Sequence, residues 1–278
     1  MQKKIRRIGG RAYNDLRPLS ISYDVYGYAL ASVFLEMGNT KVLCSIHIQN
    51  NVPPFLRGKK QGWLTAEYAM LPSATQVRTA REISSANRNG RSVEISRLIG
   101  RSLRSVLDLS KLGEQTIVVD CDVLQADGGT RTACLTGAFL ALELAIKRLR
   151  HVSEENRNAI IKDRLVALSA GICGDQVLLD IDCAEDSAID ADFNFVLTES
   201  DKIIEVQGTA EQHAIEWSLF QNMCEVVRKG ARDLVDQLKK FPLPEVTQST
   251  EASTGKAPLF SLMNRSIRTS GTTRDERN

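Results

Sequence analysis

The segment that most restricts the fold is Asp122-Val-Leu-Gln-Ala-Asp-Gly-Gly-Thr-Arg-Thr-Ala133. A β-branched apolar run, Thr116 to Val119, leads into two adjacent glycines. A threonine and an arginine follow, and then a helix-like run from Ala133 to Arg150. A strand that turns on glycines into a helix start directs several backbone N–H groups at one point, with the positive end of the helix dipole behind them. Arg131 adds a planar fork of donors at that point. The arrangement suits a small anion such as phosphate. The same residues also make an ordinary tight turn beside a surface arginine, and at this level both readings stand.

Around that segment the strand–helix alternation is legible. Residues 20–50 read as strands, most clearly Thr40 to Gln49, and the Pro- and Gly-bearing stretch from Asn51 to Asn89 reads mostly as loop. Ile95, Leu98, Ile99, Leu103, Val106 and Leu107 recur at helical spacing and predict a helix from Glu94 to Leu109. A strand at Thr116–Leu124, the glycine turn and the Ala133–Arg150 helix come next. A second β region covers Arg164–Ile172, Gln176–Cys183, Phe193–Thr198 and Ile203–Gln207. A last helix spans about Glu211–Leu238, and Pro242 and Pro244 end it. No fixed-period repeat is present. The expectation is an α+β fold, a single mixed domain of two βαβ-like halves over residues 1–246. A Ser/Thr-rich, sparsely apolar tail over 247–278 is expected to be disordered, with Pro258–Met263 its one apolar patch.

Composition narrows the function classes. No run approaches the ~20 apolar residues that span a bilayer, and the basic N-terminus is not followed by an apolar signal core. The six cysteines show no C-x-x-C pairing and mostly sit in apolar runs. They predict reduced thiols in a cytoplasmic protein rather than disulfides or a zinc site. Net charge is only +2, yet residues 1–104 carry 17 basic and 6 acidic side chains against 19 and 28 in the remainder. A basic part on a near-neutral chain is an electrostatic footprint for a polyanion; equally, basic and acidic segments neutralise one another in a fold or at a subunit interface.

Two further constellations carry chemistry. Asp180, Asp182, Glu185, Asp186, Asp190 and Asp192 fall within 13 residues. Clustered carboxylates raise one another's pKa, so such a group is expected either to face solvent or to bind a hard cation such as Mg²⁺. On the predicted Glu94–Leu109 helix, Arg97, Arg101 and Arg104 form one stripe, suited to salt bridges between subunits or to RNA. Arg91 precedes that helix at the end of a glycine-containing loop and is the better candidate anion ligand. Arg78 and Arg81 lie in the loop after Met70-Leu71-Pro72. The histidines, His47, His151 and His213, lie outside these motifs.

Taken together these blocks resemble the ribonuclease PH family. The resemblance rests on Gly62-Trp-Leu-Thr-Ala-Glu-Tyr68, Met70-Leu-Pro72, Gly90-Arg-Ser-Val-Glu-Ile-Ser-Arg-Leu-Ile-Gly-Arg101 and Asp120 to Ala133. Glu185-Asp-Ser-Ala-Ile-Asp-Ala-Asp192, Glu205-Val-Gln-Gly-Thr-Ala-Glu211, Gly10-Arg11 and Leu16-Arg17-Pro18 extend it. It runs in order from about residue 8 to 240.

The resemblance implies a phosphate-dependent 3′→5′ exoribonuclease, a tRNA nucleotidyltransferase that trims the 3′ ends of tRNA precursors and releases nucleoside diphosphates. It assigns inorganic phosphate, the co-substrate, to Arg91, Gly129, Thr130 and Arg131, and a divalent metal, Mg²⁺, to Asp186 and Asp192. Asp186 is alternatively a general acid. Arg78 and Arg81 are implied RNA contacts, and the implied assembly is a homohexameric ring, a trimer of dimers. A non-catalytic RNA-binding subunit of a ring is the alternative. The chain departs from the pattern at Ser73, where many members carry arginine, and at Gln212, where they carry glycine. The resemblance does not extend to the tail beyond about Thr247.

Overall fold

A computed structural model describes Arg7 and residues 10–81, 89–210 and 213–245. These fall in one compact unit, Met1–Val246. The expected disorder of 247–278, the apolar patch Pro258–Met263 and Gln212 lie outside the described residues.

Two sheets enclose one central helix. The first sheet has the order β1-β2-β3-β5-β4, from β1 (Leu19–Tyr23), β2 (Ala31–Met37), β3 (Thr40–Gln49), β4 (Trp63–Met70) and β5 (Thr116–Gln125). The second has the order β7-β6-β8-β9, from β6 (Leu165–Cys173), β7 (Gln176–Leu179), β8 (Ala191–Thr198) and β9 (Ile203–Ala210). Between them runs α2 (Thr130–Lys147), packed on β2, β3 and β5 from one side and on β6 from the other. A helix apolar on every side has to be covered on every side, and fifteen of its 18 residues are buried. Truncating Phe139 or Leu140 here to alanine costs about 2–5 kcal/mol, because the packed surroundings relax only in part.

The remaining helices cover the outer faces. In α1 (Gly90–Ser105) the buried residues Ile95, Leu98, Ile99 and Leu103 form the stripe facing β4. Met223, Val227, Leu234 and Leu238 of α5 (Trp217–Leu238) cover β6 and β7, which is why all nine residues of β6 are buried. Two short α-helices, α3 (Glu154–Ile160) and α4 (Cys183–Asp186), are the others among the described residues.

The expected α+β architecture is present, with two local differences. The stretch read as loop contains β4, in which Leu64, Ala66 and Tyr68 point inward between exposed Thr65, Glu67 and Ala69. This period of two is masked in sequence by the Pro- and Gly-rich residues before it. Neighbouring parallel strands occur in the first half only: β4 and β5 are parallel and α1 joins them. In the second half the hydrogen-bonded pairs β6/β7, β6/β8 and β8/β9 are all antiparallel; β7 and β8, on either side of β6, therefore run the same way and are joined through α4.

Candidate active site

The glycine turn sits where the two sheets meet. Gly128 and Gly129 both have left-handed φ, 76° and 61°, a conformation that other residues adopt at a cost. Space is equally restrictive. A β-carbon on Gly128 would stand 2.6 Å from the Ile181 carbonyl oxygen, and one on Gly129 would stand 2.8 Å from the Arg17 guanidinium. The glycines therefore let the turn press directly against the acidic segment of the second sheet.

On the far side the turn is tied down by its carbonyls. Arg17 donates to the Asp127 carbonyl at 2.8 Å. Thr40 Oγ1 donates to the Gly128 carbonyl at 2.6 Å and accepts from the Asp127 amide at 3.0 Å. No side chain caps the start of α2, whose N-cap is Gly129, so the positive helix end is open to a ligand. Thr130 is buried and its hydroxyl accepts from Tyr68 at 3.1 Å. Burial pushes the Tyr68 phenol up to about 12.

Arg131 pairs with Glu94 of α1 at 2.9 Å, and Glu94 also accepts from Gln207 of β9 at 3.0 Å. Burial opposes ionisation of Glu94, but the hydrogen bonds from Arg131 and Gln207 outweigh it and hold the carboxyl below its ordinary range. The Arg131 Nε is buried without a partner. The Asn89 side chain caps α1 by accepting from the Arg91 amide at 3.1 Å. Arg91 itself is exposed on the wall facing the turn.

These groups line one cleft of about 770 Å³. Arg91, Gly129, Thr130, Arg131, Asp186 and Asp192 all border it, although 101 positions separate the first from the last. Arg78 and Arg81 are exposed in the loop after β4, which reaches the cleft through its neighbouring residues Thr75, Thr79 and Ala80. His47 stands apart from the cleft, on β3, 3.8 Å from Asp120.

The acidic segment divides, and half of the sequence expectation needs correcting. Asp180, Asp182 and Glu185 are buried, with exposures of 0%, 3% and 2%. They neither face solvent nor form an open cation site; arginines from the N-terminal segment neutralise them. Arg17 pairs with Asp180 at 2.7 Å and Arg7 with Glu185 at 2.7 Å, while Arg11 approaches Glu185 at 3.3 Å and Asp182 at 3.5 Å. Burial works against the charge on Glu185, but the Arg7 hydrogen bond and the Asp182 amide more than compensate and lower its pKa. Asp182 and Glu185 also close a reciprocal capping box on α4. Asp186, at the end of α4, and Asp192, on β8, remain on the cleft wall.

The helix stripe is likewise spent partly inside the chain. Arg101 bridges to Glu205 of β9, and Arg104 donates to the Leu64 carbonyl at 2.9 Å with its guanidinium 4.6 Å from the centre of the Trp63 ring. Sequence pattern alone assigns no role to Arg7, Arg11, Arg17, Glu94 or Tyr68. The opposed charges of the N-terminal and 180–192 segments were the one available signal for the first three.

Two sheets thus enclose a buried helix whose open start faces carboxylates across one cleft, an arrangement able to hold a small anion. Models of the 3′ exoribonuclease family match residues 15–147 (domain 1) and 163–230 (domain 2), and the chain belongs to that family, in its ribonuclease PH branch. It is 46% identical over 244 residues to ribonuclease PH of Bacillus subtilis, covering 86% of this chain and 99% of that protein. It is 48% identical over 225 residues to ribonuclease PH of Neisseria meningitidis, covering 81% and 93%. Among solved structures, a chain of the Archaeoglobus fulgidus exosome with RNA bound to the active site superposes with a TM-score of 0.69 at 22% identity, covering 84% of this chain and 92% of that one. A chain of an archaeal exosome core gives 0.67 at 22% identity, covering 84% and 91%. At that identity the likeness concerns the fold.

Proposed function

We propose that the protein is a phosphorolytic 3′→5′ exoribonuclease that trims the 3′ ends of tRNA precursors. The observation that carries this reading is convergence. The glycine turn, Arg131 and Arg91 on one side, and Asp186 and Asp192 on the other, meet in a single cleft. Joining inorganic phosphate to a phosphodiester brings two polyanions together, so positioning and charge neutralisation dominate the task.

Arg91, Arg131 and the start of α2 hold and aim the phosphate. One of its oxygens forms a bond to the terminal phosphodiester phosphorus. The bond from that phosphorus to the 3′ oxygen of the preceding nucleotide breaks, that oxygen takes a proton, and a nucleoside 5′-diphosphate leaves. The phosphate is already an anionic nucleophile, so no strong base is needed. The hard-oxygen pair Asp186 and Asp192 fits Mg²⁺, which takes one or two carboxylates and keeps several waters. Groups of three or more such ligands are absent among the described residues. Bound there, Mg²⁺ supplies charge neutralisation at the departing oxygen.

Arg78 and Arg81, exposed in a loop that borders the cleft, would contact an RNA strand entering it. Exposed Tyr28, Ile203 and Trp217 supply apolar surface for the subunit contacts of a homohexameric ring, a trimer of dimers. Six free thiols, four of them buried, fit a reducing cytoplasmic setting. No helix among the described residues is long and apolar enough to cross a membrane.

The test is to incubate the protein with an RNA bearing a 3′ tail and Mg²⁺, with and without phosphate, and to identify the released nucleotide. Nucleoside diphosphates released only with phosphate are expected. Monophosphates, or shortening indifferent to phosphate, refute the proposal. A non-catalytic RNA-binding role is disfavoured, because both arginines and both carboxylates are retained.

A further inference from the structure

We infer that Ser169 is an additional ligand of the attacking phosphate, an assignment that rests on the cleft reading above. Ser169 lies on β6, not on the glycine turn, and its neighbours in sequence are apolar. Its side chain is only 3% exposed, yet its Oγ is buried with no hydrogen-bond partner. A buried hydroxyl without a partner is costly and calls for a reason. The reason is its position. Ser169 borders the cleft, and a β-carbon on Gly129 would stand 3.5 Å from its Oγ. The hydroxyl thus lies directly beside the start of α2.

The strand around Ser169 is pinned. Its carbonyl accepts from the Asp180 amide at 2.7 Å, and Asp180 in turn anchors Arg17. The buried, partnerless Arg131 Nε belongs to the same cleft. Two orphan donors, one from the first turn of α2 and one from β6, therefore stand at one helix start, and an oxyanion between them satisfies both. The Ser169 O–H donates to a phosphate oxygen, and no covalent step involves it.

The experiment uses the full chain with Mg²⁺ and a 3′-tailed RNA. It compares wild type, Ser169→Ala and Ser102→Ala; Ser102 Oγ is also buried and partnerless but lies on α1, outside the cleft lining. Ser169→Ala is expected to raise the KM for phosphate about tenfold, the effect of losing one hydrogen bond to a charged group. The KM for RNA stays within about twofold, and the phosphate-free melting temperature does not fall, since a partnerless hydroxyl has been removed. The rise of melting temperature on titrating inorganic phosphate shrinks accordingly. Ser102→Ala leaves the KM for phosphate unchanged. A wild-type KM for phosphate in Ser169→Ala overturns the assignment while leaving the cleft reading intact. A joint rise of both KM values with a lowered melting temperature overturns it in favour of a packing role. Wild-type release that ignores phosphate overturns the cleft reading and the Ser169 assignment together.

Discussion

Within thirteen residues the acidic segment contains two kinds of carboxylate, and the contrast is instructive. Asp180, Asp182 and Glu185 are buried against Arg7, Arg11 and Arg17; Asp186 and Asp192 border the cleft. In composition and local sequence the two sets are alike. What marks the buried set is counter-charge brought from over 160 positions away. Ionised groups enter a protein interior only when paired and hydrogen-bonded, so the arginines decide which acids become scaffold. The scaffold acids then fix the segment that leads into α4 and Asp186, and Arg17 ties that segment to the glycine turn through the Asp127 carbonyl.

The comparison is open to direct attack, because scaffold substitutions should move stability and cleft substitutions should move turnover. The largest effect is expected at the cleft. Arg131→Ala lowers kcat/KM about a thousandfold or more, as for arginines that neutralise a transferring phosphoryl group, with most of the loss in phosphate dependence. An equal loss of RNA affinity, measured by titration, would contradict this assignment. On the scaffold side, Asp180→Asn removes the partner of buried Arg17 and costs about 3–5 kcal/mol in urea unfolding. A stability loss below about 1 kcal/mol would erase the distinction between the two sets.

Asp192→Asn should do the reverse. Activity falls about a hundredfold and its Mg²⁺ dependence weakens, while the unfolding midpoint stays where it was; normal turnover would remove Asp192 from the metal site. Smaller still is the acid response of the scaffold. The folded pKa of Glu185 lies below its unfolded value, so its contribution is complete above the unfolded pKa and disappears as pH falls through the folded one. The stability gap between wild type and Arg7→Met is therefore widest at neutral pH and narrows as the solution is acidified through and below about pH 4. A gap that does not change with pH assigns the loss to packing. The least effect belongs to the rim, where Arg78→Ala raises the KM for RNA a few-fold and reduces the salt slope of binding by about one. The KM for phosphate should not change in that variant.

Local pattern made much of the fold legible. Strand β3 has the bounds that its alternation predicts, Thr40–Gln49, and β5 ends one residue beyond the expected Thr116–Leu124. The α2 helix begins three residues before Ala133, because the capping glycine, not the first apolar residue, starts it. Likewise α1 begins at Gly90 rather than Glu94, with Asn89 as its cap. Short elements such as α3 and α4 escaped, since one or two turns leave too little periodicity to register.

The amino-acid sequence by itself determined the strand, glycine turn and helix start that can hold an anion, and placed Arg131 and the acidic run beside recognisable landmarks. Those features depend on neighbours within a few positions, where backbone freedom and side-chain period act directly. Only the tertiary structure decided which carboxylates are neutralised, that Glu94 orients Arg131, and that Ser169 faces the same opening. Each of those outcomes depends on which distant groups share a low-dielectric interior, and sequence spacing carries no record of that proximity.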